Sequence, residues 1–365
     1  MKEIETLTLL SGAPLIGPVR VRQLLNYFGS ANAALEAGSA SWSVLPGFSN
    51  KIIESWTRWY ESPAWEQNLD LVERYGVKLV SFMDSEYPKS LLELPDYPII
   101  LYVKGELLPC DVKSVAVIGT RNATVYGLET AEKISEELVA LGFTVVSGLA
   151  RGIDTAAHYG ALKQGRTLAV IGSGLANIYP RENESLARRI SENGALISEF
   201  PMKTPPDRQN FPQRNRIVVG IPEGALLIEA PKKSGAMLTM GIALKQGRKL
   251  FVIPGRVDND NYKGNLSLLK EGKAHLVECA EDVVRHFSEK GDLSRRIEAN
   301  QKRRVIPLDE DEKKFLDLLP NEEVAIDRIS ELSKLPVGKV HVLLMGLLLK
   351  CAVREYPGKI YKKLI

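Results

Sequence analysis

The sequence predicts an α/β protein: an extended Rossmann-like parallel sheet, with an all-helical segment before it and a winged helix-turn-helix after it. Three observations carry this. Short β-branched apolar runs alternate with helical stretches through the middle of the chain: Val115–Ile118, Thr144–Val146, Leu168–Ile171, Ala195–Ile197, Ala225–Ile228 and Leu250–Ile253. Continuous apolar strands alternating with helices mean a parallel sheet buried on both faces. All four tryptophans (Trp42, Trp56, Trp59 and Trp65) fall in the first 80 residues, among helical patterns broken by glycine turns. The last 60 or so residues read as three helices and a hairpin.

The chain of 365 residues is long enough for two or three domains. The expected division is a helical domain at 1–80, a Rossmann-like domain at 81–290, a charged linker at 291–304 and a winged domain at 305–365. A hydrophobic content of 44% and a charged content of 25% are ordinary for a globular chain. A net charge of +3 gives no global basicity, so any nucleic-acid surface must be local. Three scattered cysteines with no CxxC, and four scattered histidines, argue against a zinc site. No apolar stretch follows the charged start Met1–Glu5, and the longest apolar run, Val342–Leu349, is far below the ~20 residues of a membrane helix. The expectation is a cytoplasmic protein with reduced thiols and no membrane span.

In the first region, Leu15-Ile16-Gly17-Pro18-Val19 and Leu45-Pro46-Gly47-Phe48-Ser49 each precede a helix. That is the helix-hairpin-helix pattern, whose main-chain amides can hold a backbone phosphate. Neither turn is richly basic, so the simpler reading is a bundle whose glycines cap helices. Trp56 and Trp59 lie on one helical face and are expected in a core. In the sheet region, Ala-Leu-Lys-Gln-Gly-Arg occurs at 161–166 and again at 243–248, each time before a strand. A helix end closed by glycine explains it.

The strand-end loops carry the functional signal. They are Gly119-Thr120-Arg121, Ser147-Gly148 through Arg151-Gly152, Gly172-Ser173-Gly174 closed by Tyr179-Pro180-Arg181, and Ser234-Gly235. Each is a strand, a small-residue turn and a helix start, where amides and the helix dipole favour an anion. Between them lies Phe211-Pro212-Gln213-Arg214-Asn215-Arg216, two arginines flanking an asparagine at a helix start. GxxxxGK[ST] is absent, and the dinucleotide fingerprint fails because Asn177 stands where its third glycine belongs. Several arginines without a nucleotide motif suit a polyanion.

These segments, with Gly152-Ile153-Asp154-Thr155-Ala156-Ala157-His158, Glu229-Ala230 and Pro254-Gly255 followed by Gly264-Asn265, occur in the order of one family. The chain resembles the DNA-processing protein A family, DprA or Smf, nearly without gaps over 115–265. The resemblance implies a helix-hairpin-helix or SAM-like first domain, an extended Rossmann fold that forms a homodimer, and a winged C-terminal domain. It implies a binder of single-stranded DNA that loads the RecA recombinase during natural transformation, without catalytic turnover and without cofactor or metal. Arg121 matches the family's DNA-contacting arginine, Arg181 a basic position after Tyr-Pro, and Arg214-Asn215-Arg216 its signature.

Simpler roles were weighed beside these. Asp154 and Glu229 are expected to pair with Arg151 or Arg216, and His158 to be packed. Asn215 is expected to bond backbone, while Phe211 either stacks a base or anchors its loop. Of the two signature arginines, Arg216 is expected to be the buried one. A different class, hydrolysis of nucleoside monophosphates on a related fold, normally carries a Pro-Gly-Gly-x-Gly-Thr loop, and this chain reads Glu229-Ala230-Pro231-Lys232-Lys233-Ser234-Gly235 there. A third class is an adaptor acting through the winged domain. That domain's third helix, 337–349, is crowded with leucine and suits protein contact or weak duplex binding better than base reading.

Overall fold

The protein is described by a computed structural model covering residues 1–287, 309–320, 322–350, 352–356 and 358–363. The expected linker at 291–304, with Gly291 and Lys302–Arg304, lies outside the described residues, as does Pro357 of the tail hairpin. The chain divides into two compact units, residues 1–296 and 297–365.

The first unit opens with helices α1 (Glu3–Gly12), α2 (Pro18–Phe28), α3 (Ala31–Glu36), α4 (Asn50–Tyr60) and α5 (Ala64–Arg74). Gly17 precedes α2, with Pro18 at the first helical position, where a missing N–H costs nothing. Gly47 takes φ +85°, a left-handed turn that favours glycine. Arg20 ties the two turns together, donating to the Leu15 carbonyl at 2.8 Å and the Gly47 carbonyl at 3.2 Å. Trp42 and Trp56 are buried, and Trp59 is partly buried with its indole N–H on the Leu9 carbonyl. The helical segment is not set apart from the sheet. Leu7, Leu10, Trp42 and Trp56 share one apolar cluster with Ile171, Leu196 and Met202.

Among the described residues the sheet has nine strands. They are β1 (Lys78–Ser81), β2 (Ile100–Gly105), β3 (Ser114–Ile118), β4 (Thr144–Ser147), β5 (Thr167–Val170), β6 (Ala195–Ser198), β7 (Gly224–Leu227), β8 (Lys249–Val252) and β9 (His275–Leu276). Their order is β1-β2-β6-β5-β4-β3-β7-β8-β9. The six apolar runs are β3 to β8, and all their mutual pairings are parallel. β9 adds a parallel edge, while β2 pairs antiparallel with β6 and β1 antiparallel with β2. These outer strands were not read from the sequence. β1 straddles the expected boundary at residue 80.

Among the described residues, seven helices of this unit follow: α6 (Val125–Ala140), α7 (Ile153–Gln164), α8 (Glu184–Asn193), α9 (Asn210–Gly220), α10 (Gly235–Lys245), α11 (Lys263–Lys270) and α12 (Ala280–Arg285). Alternate strand residues feed the two faces. Leu168 and Val170 join α9 and α10 through Ile217, Val219 and Met240, whereas Ala169 and Ile171 join α8 through Leu186 and Ile190. The repeated hexapeptide ends α7 and α10 and leads into β5 and β8. Strand order reverses between β3 and β7, and in open α/β sheets ligands bind beyond the carboxyl ends of the strands at such a point.

The second unit is a winged helix. Its elements are α13 (Glu310–Leu318), β10 (Val324–Ala325), α14 (Ile326–Ser333), α15 (Val337–Leu349), β11 (Val353–Tyr356) and β12 (Ile360–Lys363). The small antiparallel sheet has the order β10-β12-β11. Asp309 caps α13 by accepting the Glu312 amide, and Glu312 reaches back to the Asp309 amide. Phe315, Ile329, Val340, Leu344 and Leu347 form its core. The exposed side of α15 presents Val342 and Met345, with His341 the near-basic residue between turns.

Candidate nucleic-acid interface

The carboxyl ends of β3 and β4 meet the start of α9 and of α10 around a cavity of about 560 Å³. Gly119, Thr120 and Arg121 line it from β3, Ser147, Gly148 and Asp154 from β4 and α7, and Phe211, Arg214 and Asn215 from α9. Ser234 and Gly235 line it at the start of α10. A smaller recess beside it brings Arg121, Arg151, Gly172, Ser173 and Tyr179 against Phe211 and Arg214. The four glycine loops named from the sequence therefore converge. Arg216 lines neither space, and Arg181 lies on the surface after the cis Tyr179–Pro180 bond.

Many of the amides and hydroxyls expected to hold phosphate are already engaged. Asp154 accepts from the Gly148 amide at 3.2 Å and the Ala150 amide at 3.3 Å, so the chain's own carboxylate fills the loop after β4. Leu149 between them is buried with φ +57°, a left-handed conformation that turns successive amides inward. The Ser147 hydroxyl donates to the Val117 carbonyl and the Ser173 hydroxyl to the Asn177 carbonyl. The Gly174 amide donates to the Thr204 carbonyl, and Ser234 caps α10 through the Met237 amide. Gly152, at φ +74°, packs so close to the Arg121 backbone that a Cβ would lie 2.6 Å from the Arg121 carbonyl oxygen.

At the switch point Glu229 does the same for α6. Its carboxylate accepts from the Thr124 amide at 3.1 and 3.2 Å and the Thr124 hydroxyl at 2.7 Å. It also takes the Asn261 amide group at 2.7 Å and the Tyr262 hydroxyl at 3.2 Å. The expected ion pairs of Asp154 and Glu229 with Arg151 or Arg216 are therefore corrected. Asp154 faces Arg214, Glu229 is held by helix and side-chain donors, and Arg151 pairs with Glu182 at the surface.

The two signature arginines go separate ways, because residues two apart on a helix point to different sides. Arg214 is buried and donates through Nη1 to the carbonyls of Gly148 and Val170. Burial pulls its pKa down to about 10 against the pull of Asp154, with Arg121 adding to the depression. Burial likewise raises Asp154 above the ordinary carboxylate range, against Arg214 and the two loop amides. Arg216 is bound to Glu199 at 2.5 Å and Asp96 at 3.1 Å. Arg214 is thus the more deeply buried of the two, contrary to the expectation for Arg216. Burial raises Glu199 to about 7, Arg216 opposing and Asp96 reinforcing the rise.

His158 is fully buried. Since the Thr167 hydroxyl donates to the Val145 carbonyl, His158 Nδ1 must donate to Thr167 Oγ1, 2.8 Å away, which places a proton on Nδ1. Burial, then Arg214, lowers its pKa to about 3. It is a packed residue, as the sequence suggested. Asn215 bonds the Thr239 hydroxyl at 2.9 Å, a side chain rather than the backbone expected for it.

The cations left for a ligand are at the rim. Arg121 is exposed and, among the described residues, has no hydrogen bond or ion pair. Its guanidinium lies 5.1 Å from the centre of the Phe211 ring. Phe211 is also 6.1 Å from the Tyr179 ring. Arg208 lines the large cavity, exposed and likewise unpaired among the described residues. Arg208 was missed in the sequence, since Asp207-Arg208-Gln209 matches no motif. Only its two-residue spacing before α9 could have drawn attention to it. Among the described residues no cluster of His, Cys, Asp or Glu could hold a metal ion, and no helix is long and apolar enough to cross a membrane.

Comparison with known proteins gives these loops a lineage. The family model of DNA recombination-mediator protein A matches residues 78–288, and the DprA winged helix domain matches residues 299–359. The chain belongs to the DNA recombination-mediator protein A family. Protein Smf of Escherichia coli is 37% identical over 323 residues, spanning 85% of this chain and 81% of its own. Protein Smf of Synechocystis is 30% identical and spans 95% of this chain and 96% of its own. The X-ray structure of DNA processing protein A from Streptococcus pneumoniae superposes with a TM-score of 0.67 at 32% identity, over 79% of this chain and 99% of that one. A Helicobacter pylori DNA processing protein A, solved for its single-stranded DNA binding mode, gives 0.53 at 29% identity, over 58% and 97%. The DprA family match starts at residue 78, where β1 begins, so the outer strands missed in the sequence fall inside the family domain.

Proposed function

We propose that this DprA-family protein binds single-stranded DNA along the crevice at β3, β4 and β5 and serves DNA processing in transformation. One observation carries the reading: Arg121 stands free beside the Phe211 ring at the mouth of the crevice, a cation for a phosphate next to a face for a base. Arg208 supplies a second phosphate contact on the far rim, and Arg181 and Arg151 extend the basic edge. Gly119, Thr120, Gly172 and Gly235 serve as the close-approach backbone. Arg214 and Arg216 hold the walls in place. The relative solved for its single-stranded DNA binding mode supports the same ligand.

On this reading the protein works as a homodimer in the cytoplasm, without catalytic turnover, and passes the coated strand to the RecA recombinase. The nucleoside-monophosphate hydrolase reading lacks its Pro-Gly-Gly-x-Gly-Thr loop before α10, and the neighbouring start of α6 is already occupied by Glu229. The test is oligodeoxythymidine affinity measured against salt for wild type and Arg121→Glu. Affinity that falls steeply with salt, and collapses in the variant, is expected. A flat salt dependence or an unaffected variant would overturn the proposal. RecA filament assembly on strand coated with a single-strand binding protein, with and without this protein, tests the hand-over.

A further inference from the structure

Just beyond Arg121 the first turn of α6 leaves two large apolar side chains in solvent. Val125 is 73% exposed and Tyr126 57% exposed. Val257, 74% exposed, lies in the loop whose Gly255 packs on the Tyr262 ring. Tyr262 holds the Tyr126 ring from behind, with centroids 6.4 Å apart, and its own hydroxyl is fixed on Glu229. Asn261 clamps the same corner, reaching both the Asn122 carbonyl and Glu229. Tyr126 is therefore an aromatic face set on a rigid support, with its outer side open.

The local electrostatics decide what fits there. At the start of α6, where a phosphate would ordinarily be attracted, the Glu229 carboxylate already takes the Thr124 amide and hydroxyl, and Thr124 Oγ1 takes the Gly127 amide. The nearby charges are Arg256 paired with Asp258, the exposed Asp260, and Lys263 turned onto the Val257 carbonyl. This corner suits a neutral planar group better than an anion. Tyr126 follows Arg121 by five residues in the chain, and Arg121 itself lies beside the Phe211 ring.

We infer that Tyr126 is a second stacking platform, taking a further base of the strand that meets Arg121 and Phe211. The inference rests on the proposed binding of single-stranded DNA and adds a contact to it. Aromatic stacking tolerates any base, so the platform adds length-dependent affinity without sequence preference.

The experiment uses the full chain and two oligomers of equal length, about twenty nucleotides, one oligodeoxythymidine and one fully abasic. Stacking predicts that Tyr126→Ala weakens thymidine binding roughly five- to tenfold and leaves abasic binding unchanged. Tyr126→Phe restores wild-type affinity. Equal losses on both oligomers, or no loss on either while Arg121→Glu loses binding, overturn the platform and leave the strand-binding reading standing. Undiminished binding by Arg121→Glu overturns the strand-binding reading and the platform with it.

Discussion

Gly148 lies between Arg214 and Asp154, so close to both that a Cβ there would sit 2.1 Å from Arg214 Nη1 and 2.7 Å from Asp154 Oδ2. The buried cation, the carboxylate and the glycine loop are one unit. The first arginine of the signature, Arg214, holds the Gly148 carbonyl, and the aspartate holds the loop's amides. On the proposed reading, contact with DNA falls to the arginine outside this unit, Arg121.

A separation of stability from affinity follows. Arg214→Ala leaves Asp154 buried without its cation and two carbonyls without a donor, and is expected to cost about 3–5 kcal/mol of stability. Arg121→Ala removes an exposed side chain and is expected to shift stability by no more than about 0.5 kcal/mol. It should weaken DNA binding and lower the salt slope by about 1. Thermal melting and titration of both variants check this. A fully stable Arg214→Ala would show that the loop does not depend on it.

The pH dependence is set by Glu199. Its folded pKa, about 7, lies above the ordinary 4.5. The folded state therefore favours the proton. The stability contributed by this group is fully present below the ordinary value and is lost as pH rises through about 7. Up to roughly 3 kcal/mol is at stake between about pH 4.5 and 7. His158 runs the other way, since its depressed pKa makes acid destabilising from about 6.5 downward. The difference between wild type and Glu199→Gln isolates the glutamate. The variant is expected to gain on wild type steadily from about pH 5 to about pH 8. Parallel melting curves across that range would contradict the burial of a carboxylate there.

Much of this architecture was legible because it is local. A β-branched run ending in glycine before a helical stretch identifies β3, β4, β5 and β8 to within one residue at each end, and helical spacing of Val340, Leu344 and Leu347 identifies α15. β2 was not read because it is an antiparallel strand added after a proline-rich connection rather than a member of the alternation. The carboxylate plugs were not read because they are tertiary. Glu229 caps a helix that starts 105 residues earlier in the chain, at Thr124. Asp154 in a first turn looks like any acidic helix start. The same blindness put Arg216 rather than Arg214 at the buried position. Only the partners Gly148, Val170, Glu199 and Asp96 reveal two separate structural roles.

Arg151 is held at the surface by Glu182, and both side chains are more than half exposed. Such pairs contribute little to folding and are screened by salt. Glu182→Gln is therefore expected to leave melting unchanged and release Arg151 toward the strand. Oligodeoxythymidine should bind roughly two- to fivefold tighter at low salt, with the gain vanishing at high salt. Binding that does not change at low salt would place Arg151 outside the path of the strand.

Glu229 offers the test that separates a strand binder from a nucleotide enzyme. Removing its carboxylate leaves the half-buried Thr124 amide and hydroxyl without an acceptor, and Glu229→Ala is expected to cost about 1–3 kcal/mol. It also opens the start of α6 to solutes, and an uncapped helix N-terminus with inward amides is an anion site. Inorganic phosphate or a nucleoside monophosphate should then raise the melting temperature of Glu229→Ala and leave wild type unmoved. Oligodeoxythymidine affinity should survive in the variant, because Arg121 and Phe211 do not touch Glu229. Stabilisation of wild type by a nucleoside monophosphate would mean that the cradle is open after all, and release of free base from that mixture would establish the hydrolase reading in place of strand binding.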